Sequence, residues 1–120
     1  MSYSARTVFY FGIYLSVTGL LLVATPNFVL ELLGMARTDE VWIRVVGMLA
    51  GALGSYYILA ARHELTVFIR MSVQLRSTVI LLLGLFVWLG FAEMPILIFG
   101  AVDFLGAMWT WMALRTEGRS

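Results

Sequence analysis

Apolar residues run along this chain in four blocks of about twenty, each closed by a short polar break. The blocks cover 7–24, 41–61, 72–92 and 95–114. The breaks are Arg37-Thr38-Asp39-Glu40, Arg62-His63-Glu64 and Glu93-Met94-Pro95. Bilayer hydrocarbon is ~30 Å thick, so each crossing needs about 20 mostly apolar residues. The pattern therefore predicts an all-α integral membrane four-helix bundle. The third block is the least sharply drawn. Its uncharged part, Ser77–Ala92, is short for a crossing unless Arg76 snorkels toward the interface. Leu65–Leu75 is apolar but interrupted by Arg70, and reads either as an extension of that helix or as a separate piece.

A further short element is expected between the first two spans. Thr25 stands where it can cap a new helix, and Pro26 suits the first turn. Phe28 and Leu32, and Val29 and Leu33, follow at helical spacing, and Gly34 is a C-terminal stop. A helix of one or two turns in the membrane interface fits this stretch. Small residues recur at helical spacing on two spans: Gly12, Ser16 and Gly19 on the first, and Gly47, Gly51 and Ser55 on the second, with Gly54 beside them. Such ridges let helix backbones approach closely in lipid. They imply packing of spans one and two within the monomer, with a dimer interface as the alternative. Gly47 and Gly100 each precede an arginine by fifteen residues, which leaves a parallel duplication of the two hairpins open.

Composition agrees with this picture. The chain is 62% hydrophobic and 12% charged, with a mean hydropathy of +0.95, about half the charged share of a soluble domain. Four spans use nearly all 120 residues, leaving a single transmembrane domain and a polar tail, Thr116–Ser120, expected to be disordered. The first apolar run is too long for a signal-peptide core and is followed by no clear cleavage site, so it is kept as a span. A net charge of +1 argues against nucleic acid, which calls for a basic patch. All eight basic residues are arginine, and there is no cysteine for a disulfide or a thiolate site. With the N-terminus inside, Arg6, Arg62, Arg70, Arg76, Arg115 and Arg119 fall on the cytoplasmic side and Arg37 and Arg44 on the other, which also holds Asp39, Glu40 and Glu93. The positive-inside rule then places both termini in the cytoplasm.

Asp103 is the costly residue. It lies eight positions into the fourth block, ~12 Å below the outer end at the helical rise. Intramembrane ionisable groups normally face the bundle and find a partner. Arg44, three positions into the second block, matches it in depth and is the expected partner; Arg76 enters from the opposite side and has further to reach. The pair either lines a polar cavity for a ligand or forms a structural ion pair. Tyr56 and Tyr57 lie near mid-span, where a phenol hydroxyl needs a partner. They either face the same cavity or bond a backbone carbonyl. Most other aromatics fall near span ends, as interface belts do. His63 is the only histidine and lies in a loop, so neither metal nor haem is expected, and no cofactor is read from the chain. No nucleotide-binding or hydrolase fingerprint is present either, so the chain is not read as an enzyme.

Three stretches carry a resemblance: Pro26-Asn27-Phe28 through Leu33-Gly34 and Asp39–Met48; Tyr56-Tyr57 through Ala60-Ala61-Arg62, with Arg76; and Asp103-Phe104-Leu105-Gly106-Ala107-Met108-Trp109-Thr110-Trp111. Together they resemble a group of small bacterial four-span membrane proteins similar to the DoxX-like proteins. The resemblance implies a bacterial inner-membrane location. It also implies association with quinone-linked oxidation and partner complexes, although this chain shows no redox centre of its own. Three functions fit. One is a binding or accessory protein with an intrabundle polar site, built on Asp103, Arg44, Tyr56 and Tyr57, for a lipid- or quinone-like amphiphile. Another is a structural subunit of a larger membrane complex, bound to a protein partner or to its own copies. The last is an oligomeric transporter or channel protomer.

Overall fold

The computed structural model describes residues 1–118, and each apolar block in it is a helix. The long ones are α1 (Tyr3–Ala24), α3 (Trp42–Arg62), α4 (Thr66–Trp88) and α5 (Leu97–Thr116). Helix α2 (Pro26–Leu32) separates the first two, and a 3-10 turn (Met94–Ile96) leads into α5. The four long helices are long and apolar enough to cross a membrane, and no strand occurs among the described residues. This is an all-α four-helix bundle.

The junction between α1 and α2 differs from the sequence expectation in one respect. The Thr25 hydroxyl donates back to the Leu21 carbonyl at 3.1 Å and makes no capping bond to α2, so it finishes α1. Pro26 opens α2 without a cap, since its missing N–H leaves one donor fewer to satisfy. Gly34 stops the helix as expected. At φ +72° it lets the Met35 N–H reach the Leu30 carbonyl at 2.8 Å, a reversal that favours a residue without a side chain. The loop beyond folds back on α2 through an Arg37–Glu31 ion pair and a 2.8 Å bond from the Thr38 N–H to Asn27 Oδ1.

Helix α4 starts at Thr66, so the stretch 65–75 is an extension of the third helix, one of the two expected readings, and the helix ends earlier than the third apolar block. Arg70 does not interrupt it, because the side chain is exposed on the outer face. Gly90, at φ +82°, terminates it, with the Phe91 N–H on the Phe86 carbonyl at 2.8 Å. The earlier start moves Arg76 from the membrane entrance to ~15 Å along the helix. Snorkelling is excluded there: Arg76 is 2% exposed.

The long helices pack in the order α3–α1–α5–α4, with neighbours antiparallel. Helices α1 and α3 cross through glycines. A Cβ added at Gly12 would lie 2.9 Å from the Gly54 carbonyl oxygen, and one at Gly19 only 2.5 Å from that of Gly47. The α3 ridge therefore runs through Gly47, the backbone of Gly51, and Gly54. Gly51's absent side chain points into open space, and Ser55 is exposed. The core lies in the half of the bundle that holds both chain ends, where Val8, Phe11, Tyr57, Ile69 and Leu114 pack together. The tail is partly ordered: Thr116 closes α5, and Glu117 Oε1 accepts the Ser4 N–H at 2.8 Å. Arg119 and Ser120 lie outside the described residues.

Candidate functional site: a walled cavity and a buried arginine

Helices α3 and α5 both lean on α1 without packing on one another, and toward the α2 end the space between them stays open. It forms a cavity of about 270 Å³. Tyr14, Leu15, Thr18 and Leu22 of α1 form its floor, and Ile43, Val46 and Ala50 of α3 one wall. Phe99 and Asp103 of α5 form the other, and Val29, Leu30 and Met35 close the end. Helix α4 contributes nothing. A water's share of liquid is ~30 Å³, so the space holds about nine heavy atoms. Asp103 is the single charged group on a wall otherwise built of aliphatic and aromatic side chains, with the Tyr14 and Thr18 hydroxyls nearby. Few polar groups on apolar walls are the usual make-up of a small-molecule site.

Arg44 does not join Asp103. Its guanidinium donates to the Val23 carbonyl on α1, and its side chain is exposed. The reason is azimuth. Ile43, Val46 and Ala50 share the helix face that lines the cavity. Arg44 is one residue, about 100°, away, on the row of Gly47 and Gly51 that meets α1. Matched depth put the two residues together in the sequence; direction separates them. Tyr56 is 65% exposed and lies outside the cavity wall. Tyr57 is buried, but in the core, with its ring 5.6 Å from Phe11 and 5.3 Å from Phe68.

The cation in electrostatic reach of Asp103 is Arg76, one helical turn deeper. No direct ion pair within 4.0 Å joins them. Arg76 is held by α4 itself and by α5. Its Nη2 donates to Ser72 Oγ at 3.1 Å and Thr110 Oγ1 at 2.8 Å, and its Nε to the Ser72 carbonyl at 3.3 Å. Its Cζ lies 4.6 Å from the Phe11 ring centre and 5.7 Å from that of Tyr57, so two aromatic faces stand in for water. The Nη1 group has no partner. It packs beside Gly106, where an added Cβ would lie 3.3 Å from it. Thr110 continues the hydrogen-bonded file to Thr7 at 2.7 Å, and Thr7 donates to the Ser4 carbonyl at 2.6 Å. A polar thread thus runs through the core from mid-bundle to the end holding the chain termini.

The signal for this cluster was present in the sequence as Ser72 and Arg76 four residues apart on α4, a spacing that puts both on one helix face. No family model, curated protein or solved structure matches this chain.

Proposed function

We propose that the chain is a small multi-pass membrane protein that binds an amphiphile, lipid- or quinone-like, in the cavity beside Asp103. The observation that carries this reading is an apolar enclosure with one carboxylate on its wall. Its size suits a head group or a chain end and leaves the rest of a longer ligand outside. The resemblance to DoxX-like proteins supports the same ligand class. Asp103 supplies an acceptor, and Arg76 one turn deeper balances its charge.

Mass spectrometry of what co-purifies with the protein tests the proposal. Wild type is expected to carry a stoichiometric amphiphile. Ala50→Phe, which projects a ring into the cavity, is expected to lose it while remaining folded. An amphiphile retained by Ala50→Phe would place the ligand elsewhere, and a stoichiometric protein in its stead would favour a subunit role.

The same reading places both termini in the cytoplasm of a bacterial cell. Arg6, Arg62, Arg70 and Arg115 gather at the end holding the termini, with Glu64 and Glu117, against Arg37 and Arg44 at the other, which also holds Glu31, Asp39, Glu40 and Glu93. A reporter enzyme fused after Ser120 is expected to be active only as a cytoplasmic fusion. Activity from a periplasm-dependent reporter at that position would reverse the orientation.

A further inference from the structure

The outer face of α4 carries polar residues that a lipid-facing helix should avoid. Arg70, Gln74 and Ser77 follow one another at helical spacing along a groove of about 510 Å³ between α4 and α5, whose far side is Met108, Trp111 and Leu114. This face is turned away from the Arg76 cluster and takes no part in the cavity beside Asp103. Arg70 and Gln74 are exposed, and no ion pair forms at Arg70 among the described residues. A polar side chain left without a partner on a lipid-facing surface is costly. The Ser77 hydroxyl is satisfied by the Val73 carbonyl at 2.7 Å, so Arg70 and Gln74, one turn apart beside the groove, are the two side chains that need a polar occupant.

We infer that this groove binds an anionic phospholipid. The order of the polar groups matches that of a phospholipid entering from the end that holds the chain termini. The Arg70 guanidinium, about one turn into α4, is level with a phosphate. The Gln74 amide, a turn deeper, is level with the glycerol esters, and the Ser77 hydroxyl comes last, before the apolar part of the groove. Charge selects the anionic class. Arg115 stacks over Trp111 with Cζ 4.9 Å from the ring centre, which brings a second cation to the rim. Among the described residues, the two side-chain carboxylates at this end, Glu64 and Glu117, bond Ser2 and Ser4 at the start of α1, and neither lines the groove. A basic pocket between transmembrane helices, free of acids, is suited to an anionic head group. Trp111 fits the interfacial level this requires.

Native mass spectrometry of the delipidated full chain, titrated with phosphatidylglycerol or with phosphatidylcholine of the same acyl chains, tests the assignment. Phosphatidylglycerol is expected to bind wild type about tenfold more tightly than phosphatidylcholine. Arg70→Gln is expected to remove most of that preference, and Gln74→Leu to weaken both lipids, whereas Arg6→Gln, at the same end but outside the groove, changes neither. Both groove variants alter exposed side chains, and unchanged thermal unfolding in detergent confirms that they fold. Equal binding of the two lipids, or full retention of the preference in Arg70→Gln, would overturn the inference. So would a rise in thermal unfolding temperature with inorganic phosphate alone equal to that with phosphatidylglycerol, since the site would then read a free anion.

Discussion

Asp103→Asn is expected to destabilise the bundle by about 2 kcal/mol, and adding Arg76→Met is expected to return part of that loss. The argument rests on what each change leaves behind. Arg76 is 2% exposed and sits mid-bundle, with Asp103 the carboxylate in electrostatic reach. A guanidinium cannot shed its charge by losing a proton, whereas a carboxylate can be neutralised by gaining one. Removing Asp103 therefore strands a permanent charge, while removing Arg76 strands one that chemistry can cancel. Methionine keeps much of the contact with Phe11 and Tyr57. The hydroxyls that Arg76 abandons retain acceptors of their own: Ser72 on the Ile69 carbonyl at 2.7 Å and Thr110 on Thr7 Oγ1 at 2.7 Å. Equilibrium unfolding of wild type, both single variants and the double variant in one detergent gives the coupling directly. A double-variant cost below the sum of the singles by about 1 kcal/mol is expected. Strict additivity would mean that Asp103 and Arg76 do not sense one another.

What the sequence reveals here is depth, and what it hides is direction. The four helices are legible because hydrophobic blocks report length along the membrane normal, and the polar breaks fall within a few residues of the helix ends. Asp103 is legible for the same reason, as a single acid far from any break. Arg44 shows the limit. Its depth suits Asp103, yet one residue of helical rotation turns it toward Val23 on α1 and away from the cavity. Arg76 shows the converse. Arg70 interrupts an apolar run, which left 65–75 open between a helix extension and a separate piece and put Arg76 at the edge of the uncharged span. In the fold Arg70 simply faces outward, and Arg76 lies deep inside. Thr7 and Thr110, which with Ser4 carry the buried thread on from Arg76 and Ser72, have no sequence signal of their own. Hydroxyls are common in membrane helices, where they often bond a carbonyl one turn back.

Gly19→Ala is expected to cost about 3 kcal/mol, the largest effect of any single methyl added to this chain. The atoms it would meet are backbone: the Gly47 oxygen and the Gly51 nitrogen, both at 2.5 Å, and the Gly51 Cα at 2.9 Å. A flexible side chain could swing aside, but a helix axis has to move as a whole. Moving α3 away from α1 opens the crossing on which the cavity depends, since Leu15, Thr18 and Leu22 of α1 and Ile43, Val46 and Ala50 of α3 line it together. Loss of bound amphiphile is therefore expected along with loss of stability. Gly51→Ala is the informative contrast. Gly51 presses on Gly19 with its own backbone, yet its added methyl would enter open space. Alanine also favours helix over glycine by up to ~1 kcal/mol. Neutral or raised stability is expected for Gly51→Ala in the same unfolding experiment. Equal damage from both variants would mean that the outer side of the stripe, with Gly51 and Ser55, is covered by another chain in the folded protein, and that the glycines serve a dimer as well as the α1–α3 crossing.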